Sequence, residues 1–491
     1  MKPVVYILII SFLFAGCSKD VNDNTHSEEY GVITKALEEN DWRGNDYDVS
    51  ISDVRNIITR IRPSSTINDI KECRQDGLLF AYIVNYDQGW SIISADKRIM
   101  PVLAYSDKGH FDYSGIGKSG VSTWFNDIYR ISSNVKREGN IPANENTLAW
   151  EGVKDNYTNE EITELLNASR QDCLRTETLW TKIAISDTTE YQQNYVIYQP
   201  LIETEWGQGF PWNVNLVNGG TTYPTGCVAV ALAQLLYFYN NSIGIPSGLY
   251  HNISVSSWLY FAPVGETPYY MSNVVRSGYT DPSPRWDSMT LLASDYYLNP
   301  YGAEYVADLM TDIGNRVNMR YYNSLASGST INDALSALPE YGLTANLTNA
   351  MGIEAINDIQ AGKPIYVRGY DAHNNIGHAW VADGLTKSRY KTTTHYVWLQ
   401  GYNGYPPTGI CATQEEANEA AAANGYDKPE HGMESVEVTY SWDYIKFHYN
   451  WGQYGDNDGY YSTGNPVTFN GIAYTFSDNK ILYNIRSYGA Q

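Results

Sequence analysis

The stretch TGCVAVALAQLLYFY, from Thr225 to Tyr239, decides the fold of this chain. From Cys227 onward it is apolar on nearly every face of a helix, with Gln234 as the exception. A helix without a polar face cannot lie on the surface, so it must form part of a core. Strand-like stretches that could cover it follow at residues 364–368, 378–382 and 446–451. We therefore predict an α+β fold in which this core helix packs on a twisted antiparallel sheet.

A smaller unit precedes this region. Apolar residues at near-helical spacing run from Val49 to Ile61, and three strand-like stretches follow between Gly77 and Phe111. Helical patterns then cover residues 124–131 and 159–175. These elements predict a second, smaller α+β domain over residues 49–190.

The length of the chain supports this division. At 491 residues the chain exceeds the roughly 250–300 residues at which one core usually stops growing. The polar stretch Asp187–Asn194 predicts an exposed joint, so we place the larger domain at residues 191–491.

The overall composition excludes some partners. A formal net charge of -22 and a pI near 4.7 argue against nucleic acid, because phosphate binding requires clustered Lys and Arg. Apolar residues make up 43% of the chain and charged residues 18%, which is typical of a folded protein.

The amino terminus predicts where the mature protein is located. Lys2 is followed by an apolar run from Val4 to Phe14, too short to span a bilayer, and then by Ala15-Gly16-Cys17. This resembles a lipobox, so we predict a lipoprotein signal peptide over residues 1–16, lipidation of Cys17 and a polar tether over 17–48. The chain would then be anchored by lipid at the outer membrane or cell surface of a Gram-negative bacterium. The alternative is ordinary secretion, with Cys17 inside the cleaved peptide.

The remaining cysteines indicate neither a metal site nor a disulfide scaffold. Cys73, Cys173, Cys227 and Cys411 are far apart and form no C-x-x-C pair. We predict no cofactor and no metal, with Cys73, Cys173 and Cys411 as buried small side chains.

Cys227 is the candidate nucleophile. It lies where Thr225-Gly226 leads into the core helix, and the N-terminal end of a helix favours a thiolate over a thiol. A thiolate needs an imidazole beside it, and His378 is the best candidate because it begins an apolar strand. His373 and His448 are rivals; His373 lies in a polar turn.

Three further residues complete the candidate site. Asn450 could orient the imidazole, since a neutral amide does so without abolishing the ion pair. Trp451 could cover that contact and keep water from competing for it. Gln208, between Gly207 and Gly209, could donate to the oxyanion of a tetrahedral intermediate together with the Cys227 N–H.

The order Gln, Cys, His, Asn along one domain is specific, and residues 191–491 resemble the streptopain family of papain-like cysteine peptidases. The motifs that carry the resemblance are Gln208-Gly209-Phe210-Pro211-Trp212-Asn213, Thr225-Gly226-Cys227-Val228-Ala229, Gly377-His378-Ala379-Trp380, Asn450-Trp451-Gly452 and Asp458-Gly459-Tyr460-Tyr461. Residues 77–106 are similar to the inhibitory prodomain of that family, in Trp90-Ser91-Ile92-Ile93-Ser94-Ala95-Asp96 and Pro101-Val102-Leu103-Ala104-Tyr105-Ser106.

The resemblance implies a zymogen endopeptidase that acts on proteins or peptides. It assigns Cys227 as nucleophile, His378 as base and acid, Asn450 as orienter, Trp451 as its cover and Gln208 as oxyanion donor. It also implies that residues 49–190 inhibit the peptidase domain until cleavage near residues 185–200.

Two departures from the family pattern stand out. The interval between His378 and Asn450 is long, and residues 386–440 have the character of an insertion. Gln453-Tyr454 stands where a second Trp-Gly is common, which predicts a changed loop at the cleft.

Alternative functions stay open at this point. An inactive surface binding protein could keep the same scaffold, and a cell-wall peptide amidase would use the same thiol chemistry. The acidic run Asp456–Asp458 is a weak candidate for a Ca²⁺ site, because it lacks the spacing of a known calcium loop.

Overall fold

The computed structural model of the chain describes residues 47–113, 120–137, 145–151, 153–155, 158, 160–164, 180–218, 220–241, 258–261, 269–272, 286–323, 326–349, 351–371, 376–400, 410–411, 433–441, 443–462, 468–469, 472–473 and 480–488. The predicted signal peptide, Cys17 and nearly all of the tether lie outside these residues, as do Cys173, His373 and most of the predicted helix at 159–175. Within them, no helix has the length and apolar character needed to cross a bilayer.

The α-helices are α1 (Ile51–Ile61), α2 (Val121–Arg137), α3 (Glu145–Glu151), α4 (Cys227–Asn241), α5 (Pro300–Arg316), α6 (Ile331–Ala337) and α7 (Ile353–Gln360). Short 3₁₀ turns cover Trp286–Ser288, Ala293–Tyr297 and Leu338–Tyr341. Local sequence explains several helix starts. At α1, for example, the Ser50 hydroxyl accepts from Asp53 N while the Asp53 carboxylate accepts from Ser50 N, which is a capping box.

The strands of the amino-terminal part are β1 (Ile67–Gln75), β2 (Leu78–Tyr86), β3 (Trp90–Ser94), β4 (Val102–Ser106), β5 (Val153–Asp155) and β6 (Trp180–Tyr198). Those of the remaining chain are β7 (Val217–Asn218), β8 (Thr221–Thr222), β9 (Trp258–Phe261), β10 (Tyr269–Ser272), β11 (Arg320–Asn323), β12 (Ala326–Gly328), β13 (Leu343–Thr348), β14 (Ile365–Asp371), β15 (Ile376–Gln400), β16 (Ile410–Cys411), β17 (Met433–Tyr440), β18 (Tyr444–Asn450), β19 (Gly459–Ser462), β20 (Thr468–Phe469), β21 (Ile472–Ala473) and β22 (Lys480–Ser487).

One antiparallel sheet joins the two predicted domains. Strands β1 to β4 form a meander, and β4 pairs with β19 so that Tyr105 lies opposite Tyr460. The sheet then continues through β18, β15, β14 and β22 to β13. The smaller unit has the predicted strands and helices, but it shares its sheet with the larger one and does not stand apart from it.

The two faces of this sheet carry different helices. Alternate residues of a strand point to opposite faces. In β15, Ala379 and Val381 belong to the core around α4, whereas Trp380 and Ala382 belong to a core shared with α2. The predicted packing of the Cys227 helix on an antiparallel sheet is therefore confirmed, and a helix of the smaller unit covers the other face.

The predicted exposed joint at Asp187–Asn194 is wrong. These residues lie inside β6, which pairs with β15 from Leu385 to Gln400, and Thr189 and Tyr191 are buried. Polar side chains are compatible with strand pairing because the backbone makes the hydrogen bonds. The boundary predicted at residue 191 thus falls within a long strand.

The predicted insertion at 386–440 forms an arm beside that strand. Its described parts are the outer half of β15, the short β16 and β17, which pairs with β15 along the edge that β6 leaves free. Tyr390 of this arm is buried, and its hydroxyl donates to Asn146 Oδ1 on α3 at 2.5 Å. The arm therefore contacts the smaller unit, a role that the sequence did not suggest.

Candidate active site

Cys227 is the first residue of α4 and is only 3% exposed. Gly226 before it has φ +91°, and a Cβ there would lie 2.7 Å from the Met319 side chain. Only glycine meets both conditions without strain, so the residue before Cys227 has to be glycine. The helix dipole at this end stabilises a thiolate.

His378 lies near the start of β15 and is hydrogen-bonded to Cys227. Its Nε2 is 3.0 Å from the Trp451 carbonyl oxygen. A carbonyl oxygen only accepts hydrogen bonds, so Nε2 must carry a proton there. In the neutral ring this leaves Nδ1 as the basic nitrogen, available to the thiol.

The electrostatics of this pair favour charge separation. Burial lowers the pKa of His378, but the negative charge of Cys227, the hydrogen bond with it and the Trp451 carbonyl together raise that pKa above its ordinary value of 6.5. A raised imidazole pKa beside a sulfur at a helix start favours a thiolate–imidazolium pair. The structure thus brings together the two residues on which the predicted chemistry depends.

Asn450 does not make the contact that was predicted for it. Its Oδ1 accepts from Gln234 Nε2 at 3.0 Å and from Gly452 N at 3.1 Å, and its Nδ2 donates to Thr204 O at 2.9 Å. Neither polar atom bonds His378. The reason is geometric: β18 ends at Asn450, and the carbonyl one residue further on, at Trp451, lies at the imidazole instead.

Trp451 lies beside His378, with the ring centroids 6.5 Å apart. Its side chain is fully buried. The Trp380 ring stacks on His378 at 6.2 Å with an angle of 17° between the planes, and it also packs against Trp451, with centroids 4.9 Å apart. These two rings exclude water from the hydrogen bond between His378 and the Trp451 carbonyl, which strengthens that bond.

Gln208 lies on the loop that approaches the nucleophile. Its carbonyl oxygen accepts from Thr225 N at 2.9 Å, two residues before Cys227, and its side chain is half-buried. Tyr454 packs on the same loop, and its hydroxyl accepts from Gly209 N at 2.7 Å. Tyr454 of the unusual Gln453-Tyr454 pair therefore contacts this loop directly.

Of the two rival histidines, only His448 lies in the described part of the chain, and it is paired with a carboxylate. His373 lies outside it, and His448 Nδ1 is 2.6 Å from Asp383 Oδ1. Burial lowers the pKa of His448, but the Asp383 carboxylate raises it above the ordinary value. His448 belongs to a separate acid–base pair.

The Asp456–Asp458 run has other partners than a cation. Asp458 Oδ1 accepts from Trp451 N at 2.8 Å, and Asn457 Oδ1 accepts from Asp112 N at 3.2 Å. Over the described residues, no group of three or more His, Cys, Asp or Glu side chains is arranged to hold a metal ion.

The smaller unit reaches the imidazole through Gly120, just before α2. A Cβ at Gly120 would lie 1.9 Å from His378 Cδ2 and 2.6 Å from Nε2. The backbone of Gly120 therefore lies directly against the ring, in a space that no other residue would fit. Sequence reasoning missed this residue, because one glycine of the stretch Gly115-Ile116-Gly117-Lys118-Ser119-Gly120 carries no pattern that points to a distant histidine.

Two family models match the chain. The Peptidase C10 family model matches residues 206–461, and the Spi protease inhibitor model matches residues 55–131. The first range includes the five residues of the predicted catalytic site, and the second includes Gly120.

Known proteins resemble the chain at low identity. The thiol protease/hemagglutinin PrtT of Porphyromonas gingivalis is 22% identical over 340 residues, which make up 67% of this chain and 33% of that protein. The chain thus spans about a third of the length of this curated relative.

Two solved structures from Prevotella intermedia are similar to the chain. A prointerpain A fragment with a cysteine-to-alanine substitution has a TM-score of 0.48 and 18% identity, covering 87% of this chain and 100% of that chain. Active interpain A has a TM-score of 0.36 and 19% identity, covering 59% of this chain and 95% of that chain.

Proposed function

The chain belongs to the Peptidase C10 family, and from this premise we propose that it is a cysteine endopeptidase made as a zymogen. The observation that carries the proposal is the pairing of Cys227 with His378, with Gly120 of the inhibitor-like unit against the same imidazole. One contact supports the chemistry and the other supports its inhibition.

The proposed mechanism follows from the positions of these groups. The Cys227 thiolate attacks the carbonyl carbon of a peptide bond, and the new oxyanion accepts hydrogen bonds from the Gln208 side chain and the Cys227 N–H. The His378 imidazolium then donates its proton to the leaving amine. Water, deprotonated by His378, hydrolyses the resulting thioester and restores the thiolate.

Asn450 has a different role in this proposal from the one first assigned. Through Gln234 it ties the end of β18 to α4, the helix that carries the nucleophile, and through Thr204 it ties it to the segment before Gln208. We propose that Asn450 holds these elements together, and that the Trp451 carbonyl orients the imidazole.

The inhibitor-like unit is held on the peptidase by contacts well beyond Gly120. Trp124 Nε1 on α2 donates to Ser462 O at 3.0 Å, and Tyr105 stacks on Tyr460 with centroids 5.1 Å apart. With the β4–β19 pairing, these contacts place α2 over the face of the sheet that His378 occupies. The same arrangement would exclude a peptide from the imidazole.

Activation is expected to require a cut just after β6. Gln199 and Pro200 are exposed, whereas residues 180–198 are paired in the sheet. Limited proteolysis of the full-length chain should raise peptide hydrolysis at least about tenfold, with a new amino terminus between residues 199 and 203. Activity that is already maximal before any cleavage, or a mature terminus within 187–194, would contradict this.

We also propose that the chain is anchored to a membrane through Cys17. The support is the apolar run of residues 4–14 followed by Ala15-Gly16-Cys17. Cells expressing the chain with labelled palmitate should incorporate label into it, and the variant Cys17→Ser should lose both the label and the membrane association. Equal labelling of the variant would exclude the anchor without affecting the proposed chemistry.

A further inference from the structure

The turn between β18 and β19, residues 451–458, touches both halves of the candidate site. It is tightly wound: Gly452, Tyr454, Gly455 and Asn457 all have φ between 61° and 81°, in the left-handed region. The Gln453 carbonyl accepts from Asp456 N at 3.0 Å within it. Two side chains of this 451–458 turn, Asp458 and Tyr454, contact residues of the candidate site.

Asp458 closes the turn onto the residue that holds the imidazole. Its Oδ1 accepts from Trp451 N at 2.8 Å, and the carbonyl of the same Trp451 lies 3.0 Å from His378 Nε2. One residue is therefore fixed from its N–H side by a carboxylate, while its C=O side faces the base. Loss of the carboxylate would release the 450–451 peptide, which is adjacent to the 451–452 peptide whose oxygen orients the ring.

Tyr454 closes the turn onto the loop that carries the oxyanion donor. Its hydroxyl accepts from Gly209 N at 2.7 Å, and its own N–H donates to Trp206 O at 3.4 Å. A Cβ at Gly207 would lie 2.5 Å from the Tyr454 ring, so the ring rests on the backbone there. Tyr454 therefore contacts the backbone of both residues that flank Gln208, which are Gly207 and Gly209.

We propose that the 451–458 turn is the element that positions both the base and the oxyanion donor, with Asp458 acting on His378 through Trp451 and Tyr454 acting on Gln208 through Gly209. Both are positioning residues. The inference rests on the proposed function, because it assigns them a part in that reaction.

The Asp458 carboxyl is buried among several other titratable groups. Burial raises the pKa of Asp458 to about 7, while His448 and the Trp451 N–H lower it and Asp383 and Glu205 raise it. Burial raises the pKa of the Tyr461 phenol, and the Asp458 charge raises it further. The titratable partner of the His378 ring is Cys227.

The Tyr454 half of the proposal is tested by Tyr454→Phe, which removes only the hydroxyl. In the full-length chain activated by limited proteolysis, we expect kcat to fall roughly ten- to a hundredfold, because small misplacements of a catalytic group are costly. KM and the rate at which iodoacetamide alkylates Cys227 should stay unchanged, since the base side is intact. Tyr341→Phe is the matched control, because Tyr341 is a buried tyrosine whose hydroxyl donates to Asp312 at 2.8 Å.

The Asp458 half is tested by Asp458→Ala and Asp458→Asn. In Asp458→Ala the Trp451 carbonyl is no longer held against the imidazolium, so the pKa of His378 should fall. The alkaline limb of kcat/KM should then move to lower pH by roughly half a unit to one unit. Asp458→Asn keeps an acceptor oxygen and should recover most of the activity. Asp312→Asn, at another buried carboxyl, is the control and should not move the limb.

Different outcomes would contradict the proposed peptidase function and the proposed role of the 451–458 turn. An activated wild-type chain without peptidase activity would overturn the proposed function and this inference with it. An active wild type with Tyr454→Phe and Asp458→Ala indistinguishable from their controls would overturn the inference alone. Loss of alkylation in Tyr454→Phe would also count against it, because the hydroxyl would then act on the thiolate and not on the oxyanion loop.

Discussion

Replacing Cys227 by alanine is expected to lower peptide hydrolysis by the matured enzyme at least about ten-thousandfold. Alanine has no group that can attack a carbonyl carbon, and the proposed mechanism has no other nucleophile within reach of His378. Cys227→Ser should be almost as inactive, because a hydroxyl is not ionised by a neighbouring imidazole in the ground state. Initial rates on a fluorogenic peptide, after limited proteolysis of the full-length chain, measure the loss.

Cys73 offers the matched control. It is also a free cysteine, it is fully buried in β1, and burial raises the pKa of its thiol to about 12. Cys73→Ala should therefore retain full activity after maturation, and iodoacetamide at neutral pH should modify Cys227 but not Cys73. Residual hydrolysis in Cys227→Ala above that of a mock preparation would disprove the assignment of the nucleophile.

Replacing Gly120 by alanine is expected to switch on the uncleaved chain. The added methyl group would overlap His378 Cδ2, where the available distance is 1.9 Å. Overpacking of this kind costs roughly 1–3 kcal/mol, and each 1.4 kcal/mol is a factor of ten in an equilibrium. The inhibitor-like unit should therefore open from the site more often, and hydrolysis by intact full-length chain should rise about ten- to a hundredfold.

Gly109→Ala is the control for this experiment. A Cβ at Gly109 meets nothing within 4 Å, but its φ of +69° makes any side chain strained there. The control thus weakens the same unit without touching the imidazole. Gels taken during the assay must show that the chain is uncleaved. Equal latency of the two variants would mean that Gly120 does not hold the site closed.

Much of the site could be predicted because helix starts and strand starts are local features. The apolar helix after Gly226, the strand opening at His378 and the end of β18 at Asn450 are each visible within a few residues of sequence. The pairing of Cys227 with His378 then followed from chemical need, since a thiolate requires a base. Gln234 carried a warning as well, because a single amide in an apolar helix must find a buried partner.

The hydrogen bond predicted between Asn450 and His378 is not made, because the Trp451 carbonyl lies at the imidazole instead. A carbonyl can hold an imidazole as well as an amide can, and every residue has one, so the Trp451 peptide leaves no mark in the sequence. The contact of Gly120 with His378 and the partners of Tyr454 and Asp458 were not predicted for a related reason, although Gln453-Tyr454 was expected to change the loop at the cleft. Their functions depend on contacts across the fold, and sequence patterns report only near neighbours.

The joint at 187–194 failed because polarity was taken to mean exposure. Strand pairing satisfies the backbone whatever the side chains are, and the partner strand β15 starts at Ile376, far along the chain. The pairing was not predicted, because most of the partner residues belong to the 386–440 region, for which the sequence analysis predicted no structure. The outer half of β15 pairs with this polar stretch, which places residues 187–194 within the sheet.

The long pairing of β6 with β15 changes what maturation means for this molecule. A cut after residue 198 severs the covalent link but leaves β6, β5 and the β4–β19 seam hydrogen-bonded to the enzyme. In the proposed maturation, the immediate product would be a cleaved two-chain complex, and inhibition would then depend on a dissociation equilibrium and no longer on an intramolecular constraint. Inhibition after the cut would depend on dilution and on digestion of the amino-terminal fragment. Cleavage of the chain and the rise in activity would therefore occur at different times.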